Sequence, residues 1–399
     1  ELARVPEMAG RLQALEQAAG RRAFAVQDTA ALQRLLGRTV SISPSRMETY
    51  YECPFCYFMR YVLGVQPRPR AELGIPQSGT LVHWLLETLL RDFPSLQGLE
   101  DAALEREVRA RIQAYAAEKL PGQSGVRFAY LLRRIGDNTL QLLRYIRDEL
   151  AQGQFVPCAF EQGIGREDGV PALELTGGHG EHIRIVGTVD RVDTMTADGR
   201  TWLRVVDYKT GSKSFSLDEV CAGINTQMLL YLFTLTRNGT AQFGQTSPAG
   251  VLYLLSDPAP SAQEKKSSFL VDGLVVDDER VLAGMDRELS GHYLPVAPDS
   301  RSRTVREEKL VDLAMLGRIA NRLEQLVIRM VDALYEGRIE AQPLCHAGRV
   351  RCDSCDYRPV CRRRDDEPGT EVQKGSWKQA LGLTAQAADE NGNAREETI

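Results

Sequence analysis

Two aspartates and a lysine stand where strands would ordinarily carry apolar residues. Asp190 falls in HIRIVGTVDRVDTM, and Asp207 and Lys209 fall in TWLRVVDYKTG; both stretches are rich in β-branched and apolar residues and read as strands. The Asp198-Gly199 step between them is a favoured hairpin turn. Side chains alternate along a strand, so Asp207 and Lys209 project from one face, and a turn near 197–199 brings residue 190 roughly opposite 205–207. Two carboxylates aimed at one point are unfavourable unless a cation neutralises them. A hard divalent ion such as magnesium takes oxygen ligands of this kind and keeps several waters, one of which can become a nucleophile. A lysine alongside would help deprotonate or orient that water, or stabilise negative charge developing on a phosphate. The competing reading of Asp-x-Lys is a salt bridge on an exposed strand.

Three companions favour the chemical reading. Gly187, three residues before Asp190, permits close backbone approach. His83 lies in the helical stretch GTLVHWLLE, with Glu87 four residues later on the same face. Gln227 and Tyr231 in QMLLY project together from a second helix, a pair suited to hydrogen bonding with a phosphate or a strand backbone. His83, Gln227 and Tyr231, each taken alone, would read as ordinary packed or surface residues of a helix. Glu161, on the strand preceding Asp190, is a weaker candidate for an outer metal contact.

The cysteines form a second constellation. Cys352, Cys355 and Cys361 are spaced C-x₂-C-x₅-C, and CPFCYF near the other end holds Cys53 and Cys56. Four thiolates are the usual complement for an iron–sulfur cluster or a structural zinc. The compact motif supplies three, and Cys53 or Cys56 the fourth. Cys345-His346 offers an alternative for zinc, so spacing alone leaves the occupant open. Cys158 and Cys221 read as buried small apolar residues. A chain of this size builds its own core without disulfides, and no secretory signal is visible. Clustered cysteines then point to a reduced compartment, hence a cytoplasmic location.

These groups need a scaffold. The 399 residues are 43% hydrophobic and 26% charged, a globular balance that excludes a disordered or fibrous chain. No uncharged apolar run of about 18 residues exists, so no membrane span is expected. Residues 1–39 read as a helical linker or the end of an upstream domain, and the start at Glu1 suggests a piece of something longer. Helices are expected through Tyr50 to Tyr61, capped by Ser43 or Ser45, then over GTLVHWLLE, and twice more within 100–152. Strands follow at FVPCAFEQGIG, ALELTGG and the two aspartate-bearing stretches. A helix over about 217–237 leads to the strand AGVLYLLSD, a loop is expected at 257–268, and helices at about 276–291 and 304–337. The polar tail at 366–399 reads as disordered. Net charge is −5, so any nucleic-acid contact must be local. Arg349, Arg351, Arg358, Arg362, Arg363 and Arg364 crowd the cysteine motif; with Lys209, Lys213 and the Arg-rich segment 301–329 they could track a phosphate backbone. Gly211-Ser-Lys213-Ser lacks the leading glycine and length of a nucleotide-binding P-loop.

The ordered set GTLVHWLLE, GTVDRVD, VVDYKTG and QMLLY resembles the motifs of the PD-(D/E)xK superfamily, in its RecB-like branch. The resemblance implies a restriction-endonuclease-like α/β fold: a mixed sheet flanked by helices, with helical insertions. It implies that His83, Asp190, Asp207 and the backbone carbonyl of Tyr208 hold the metal. Lys209 would be catalytic, and Gln227 and Tyr231 would position the substrate strand. One cysteine before the core and three after it resemble the iron–sulfur nucleases of this branch, the AddB type among them, in which a 4Fe–4S cluster staples the ends of the nuclease domain. The CPF triplet then points to Cys53 with Cys352, Cys355 and Cys361. So placed, residues 40–365 form a magnesium-dependent nuclease domain acting on single-stranded DNA, chiefly the 5′-terminated strand, beside an ATP-dependent, AddA-like helicase partner in double-strand-break repair. Two alternatives share these residues: a non-catalytic DNA-binding scaffold, and a stand-alone iron–sulfur exonuclease of the CRISPR-adaptation kind.

Overall fold

A computed structural model describes residues 25–66, 76–209, 215–256, 269–296, 303–346, 349–361, 363, 367 and 369–383. The expectations for residues 1–24, for Gly211–Lys213, for the loop at 257–268, for Arg362 and Arg364 and for the chain after 383 lie outside these. A short helix, α1 (Thr29–Leu36), leads to strand β1 (Thr39–Ile42). Helix α2 (Pro44–Glu52) begins where Ser43 caps it by accepting from the Arg46 amide. The expected single helix through Tyr61 breaks at Cys53, which is extended, because Pro54 disfavours a helical residue before it and itself starts α3 (Pro54–Tyr57). The π-helical turn Phe58–Val62 follows. Helices α4 (Pro76–Asp92), α5 (Asp101–Lys119) and α6 (Val126–Gln152) complete the first half. Among the described residues no helix is long and apolar enough to cross a membrane.

The second half builds the sheet. Strands β2 (Val156–Ile164), β3 (Leu173–Thr176), β4 (His182–Ile185), β5 (Gly187–Ala197) and β6 (Arg200–Lys209) precede helices α7 (Leu217–Cys221) and α8 (Gln227–Asn238). Then come β7 (Thr246–Ser256), β8 (Phe269–Val276), α9 (Glu279–Met285), the helix Arg303–Lys309, β9 (Leu310–Val311), α10 (Leu313–Tyr335) and finally α11 (Ser376–Ala380). The main sheet runs β2-β5-β6-β7-β8-β9, and a small sheet runs β1-β4-β3. The main sheet is mixed: β5 and β6 are antiparallel, whereas β6 and β7 are parallel, a pairing that needs the helical crossover α7–α8. The fold is therefore α/β with a mixed sheet flanked by helices. The stretch expected as one strand from His182 divides at Val186 and serves both sheets.

Other departures have local causes. The helix expected over 217–237 splits because Gly223 and Asn225 adopt left-handed backbone, and a side chain at 223 would run into the Tyr51 ring. The segment from 276 remains strand through Val276 before α9, and Leu310–Val311 adds an edge strand before Asp312 caps α10. The tail expected to be disordered is ordered between 370 and 383. Asp218 on α7 accepts from the Gly375 and Trp377 amides and the Ser376 hydroxyl, and Trp377 is buried.

Beneath the β5–β6 hairpin lies a buried group of charges. Arg191 makes two 2.6 Å bonds to the Asp193 carboxylate, one from Nε and one from Nη2. Arg204 reaches Asp193 at 2.8 Å and Glu149 of α6 at 2.5 Å, and Arg191 reaches Glu149 at 3.3 Å. Burial alone would raise the Asp193 pKa, but the two guanidiniums hold it below the ordinary aspartate value. The two acids and two bases cancel. The same network would be costly to break, because removing one member leaves a buried charge uncompensated. Asp193→Ala should therefore lose about 3–5 kcal/mol in urea unfolding at neutral pH. Because the folded pKa is depressed, this contribution is present above the ordinary aspartate pKa of about 3.9 and lost as pH falls through the lower folded value. The gap between wild type and variant should narrow in that acid range; a gap independent of pH would refute the assignment.

Candidate active site and cysteine cluster

The hairpin register places the two key carboxylates together. Arg191 pairs with Val206, so one step further Asp190 stands beside Asp207. The turn is of the kind expected, with both Asp198 and Gly199 left-handed. Lys209 Nζ lies 2.7 Å from Asp207 Oδ2, with the lysine partly exposed and the aspartate buried. That contact pairs the charges, yet Oδ2 is sealed from solvent and accepts no well-directed hydrogen bond. Burial, reinforced by the Asp190 charge, pushes the Asp207 carboxyl up to about 6.

His83 reaches the hairpin from α4. Its Nδ1 lies 3.4 Å from Asp190 Oδ2 and its Nε2 lies 3.2 Å from the Tyr208 carbonyl oxygen. The Asp190 partner holds the His83 pKa above its ordinary value despite burial. Glu87, on the same helix, is bonded to Arg91 at 2.6 Å. Glu161 enters from the edge strand: Phe160 pairs with Arg191 and Gln162 with Val189, so Glu161 stands opposite Asp190. Its backbone is left-handed, at φ 47°, a conformation costly for glutamate and frequent at functional sites. Ligand atoms of His83, Glu161 and Asp190 lie within 4.8 Å of one another. Burial and the neighbouring Asp190 carboxylate raise the Glu161 pKa above its ordinary value.

The donor set suits a divalent cation. It offers hard carboxylate oxygens, an imidazole, and the carbonyl of Tyr208, and burial together with the Asp190 charge raises the Glu161 and Asp207 carboxyls above their ordinary values. Glu161, the weaker candidate from sequence, is a full member of this group, whereas Asp207 adjoins it through Asp190 and Lys209. The sequence signal for Glu161 is slight, a Glu-Gln-Gly interruption of strand alternation.

Tyr231 and Gln227, the pair expected to position the substrate strand, are hydrogen-bonded to each other on α8. Tyr231 is buried, with its phenol held by the Thr188 backbone and the Gln227 side chain. A methyl group added at Gly187 would fall on the Tyr231 hydroxyl. The glycine of GTVD thus makes room for a tyrosine that props the strand leading to Asp190.

Cys53, Cys56, Cys361 and Tyr357 pack into one buried cluster, with Cys355 against it. Cys56 hydrogen-bonds Cys355, which is drawn down to about 6, while burial raises Cys53 to about 11. Cys352 lies near Cys355 and Cys361, with Arg363 against its sulfur. Both candidates for the fourth ligand are therefore present. Cys345 is elsewhere, its sulfur against Gly369, and the His346 side chain lies outside the described ones. Cys158, expected to be buried, is exposed at the bulge where the β2–β5 register shifts. The arginine stripe is partly structural. Arg351 binds Glu52, Arg318 binds the Leu381 carbonyl and Arg322 the Cys221 carbonyl.

Residues 41–362 match the family model described as the PD-(D/E)XK nuclease superfamily. The chain belongs to that superfamily. Similar curated proteins are named as the B-type component of an ATP-dependent helicase/deoxyribonuclease. The one from Clostridium tetani is 26% identical over 84% of this chain and 31% of its own length. That from Moorella thermoacetica is 30% identical over the same shares, and one from Clostridium botulinum 28%. The chain spans about a third of the length of these relatives.

Gly187→Ala should destabilise by about 1–3 kcal/mol through overpacking. Removing the obstructing hydroxyl in the Gly187→Ala/Tyr231→Phe double variant should recover part of that loss in urea unfolding. Strict additivity of the two changes would show that the glycine serves another purpose.

Proposed function

We propose that this chain is the nuclease part of an ATP-dependent helicase/deoxyribonuclease of the AddB type, cutting phosphodiester bonds of single-stranded DNA with magnesium. The observation that carries the reading is the convergence of His83, Glu161, Asp190, Asp207 and Lys209 on one end of the β5–β6 hairpin. His83, Glu161, Asp190, Asp207 and the Tyr208 carbonyl would hold the ion. A divalent cation there supplies Lewis-acid polarisation and makes a nucleophile available from water at neutral pH. Lys209 stands beside Asp207, where its ammonium can orient water and offset charge gathering on the phosphate. Gln227 and Tyr231 act on the strand by fixing the backbone around Thr188. The names of the relatives support a helicase partner and a DNA substrate. The resemblance to AddB-type proteins extends the reading to the 5′-terminated strand and to double-strand-break repair in the cytoplasm.

The cysteines are assigned to a 4Fe–4S cluster that staples the domain, held by Cys352, Cys355, Cys361 and Cys53, with Cys56 as the competing fourth ligand. Zinc bonds sulfur at about 2.3 Å in a tetrahedron, which draws its ligands into mutual contact. The contact of Cys56 with Cys355 suits either group, and the choice of the cluster rests on the resemblance to the iron–sulfur nucleases of this branch.

Lys209→Ala should abolish magnesium-dependent cleavage of labelled single-stranded DNA while leaving DNA affinity and unfolding midpoint near wild type; retained cleavage would remove the catalytic role. Anaerobically purified protein should contain iron and sulfide with a broad absorption near 400 nm. Cys352→Ser should lose both together with thermal stability. Stoichiometric zinc in the wild type would overturn the cluster assignment.

A further inference from the structure

Beside the acidic centre lies a cavity of about 460 Å³ that the chemistry above leaves unused. Its lining includes Ser41, Ser43, Arg46, Arg166, Arg184 and Gly187, and no acidic residue. The three arginines come from separate elements: α2, the turn after β2, and β4. Three arginines line it with no carboxylate among the lining residues, and an anion held there would offset their mutual repulsion. Arg46 is already positioned, donating to the Ser41 carbonyl at 3.3 Å with its guanidinium 5.0 Å from the centre of the Tyr61 ring. The nearest acid to Arg184 is Glu174, at 3.9 Å and half exposed, too loose to neutralise it. Arg166 is exposed to solvent.

The cavity and the acidic centre share two strands, β2 through Ile164 and β5 through Gly187. Gly187 lies three residues before Asp190 on β5, about 10 Å at strand spacing. Arg166 lies just beyond the end of β2, the strand that carries Glu161, with its side chain folded back against Gly163 of that strand. A DNA strand with one phosphate at the acidic centre and its backbone running along β5 would reach this opening. We propose that the cavity is a phosphate subsite: Arg46, Arg166 and Arg184 seat a backbone phosphate of the bound DNA strand, flanking the one that is cleaved, and so set where along the strand the cut falls. The inference rests on the nuclease reading and adds a substrate contact to it. Guanidiniums match phosphate with paired N–H donors, and such a contact reads the backbone without reading sequence.

The test uses the full-length protein with any partner protein that copurifies with it. Binding of a fluorescent single-stranded oligonucleotide is followed by anisotropy in calcium, without turnover, over a range of salt. Arg166→Gln/Arg184→Gln should bind about tenfold more weakly, with the log–log salt slope shallower by about 0.7 for the one phosphate no longer neutralised. Arg184→Lys, which keeps charge but loses the fork, should fall between. Oligonucleotides carrying one uncharged methylphosphonate are then scanned against the wild-type protein, a measurement that needs no variant to fold. One position beside the cleaved bond should reproduce the tenfold loss, and that substitution should cost the double variant nothing further. An unchanged slope and affinity in the double variant, or losses that add at every position, would overturn the subsite. Binding that follows the expected pattern in a wild-type protein unable to cleave in magnesium would instead refute the nuclease reading and leave the subsite standing.

Discussion

Asp190 and Asp207 can stand side by side only because the opposite face of their hairpin is locked. Arg191, Asp193 and Arg204 alternate with the two aspartates along β5 and β6, and Glu149 closes their network from α6. Each bond on that buried face fixes the register that brings the carboxylates into repulsive proximity on the other. Arg191 also donates to the Tyr208 hydroxyl at 3.4 Å, which ties the network to the residue whose carbonyl His83 meets. A one-residue slip would exchange the two faces, leaving charges buried without partners and the reactive carboxylates apart. The cost of mispairing is what makes the geometry specific.

The hairpin was legible in the sequence because its signals are local. Strand alternation assigns Asp207 and Lys209 to one face, and Asp198-Gly199 suits a turn that needs two left-handed residues. Glu161 was less legible, since its left-handed backbone follows from tertiary packing at the sheet edge and no side-chain rule favours it there. The prop formed by Tyr231 against Gly187 joins residues far apart in the chain, so neither position betrays it. The ordered segment around Trp377 was hidden for the same reason: its helix is capped by Asp218, 159 residues away in the chain from Trp377. The break at Cys53 could have been read from Pro54, a helix signal that local apolar spacing masked.

Positive charge is distributed in an unexpected way. Several arginines of the Arg-rich C-terminal half are spent on backbone carbonyls and carboxylates, as Arg318, Arg322 and Arg351 show. The arginines lining the cavity belong instead to α2, β4 and the turn after β2, places where no basic run marks the sequence. Charge density along a chain is thus a poor map of charge density in space. A chain of net negative charge can still present a recess lined by arginines.

The split of the cysteines between Cys53–Cys56 and Cys352–Cys361 has a consequence for biosynthesis. A polypeptide leaves the ribosome from its N-terminus, so the CPFC pair is made early and the C-x₂-C-x₅-C motif only after every strand of the main sheet has been translated. A prosthetic group requiring both sets of thiols cannot be fully ligated by a nascent or truncated chain. Insertion of such a group would therefore come last and would act as a checkpoint, sealing only those molecules whose main sheet has been completed.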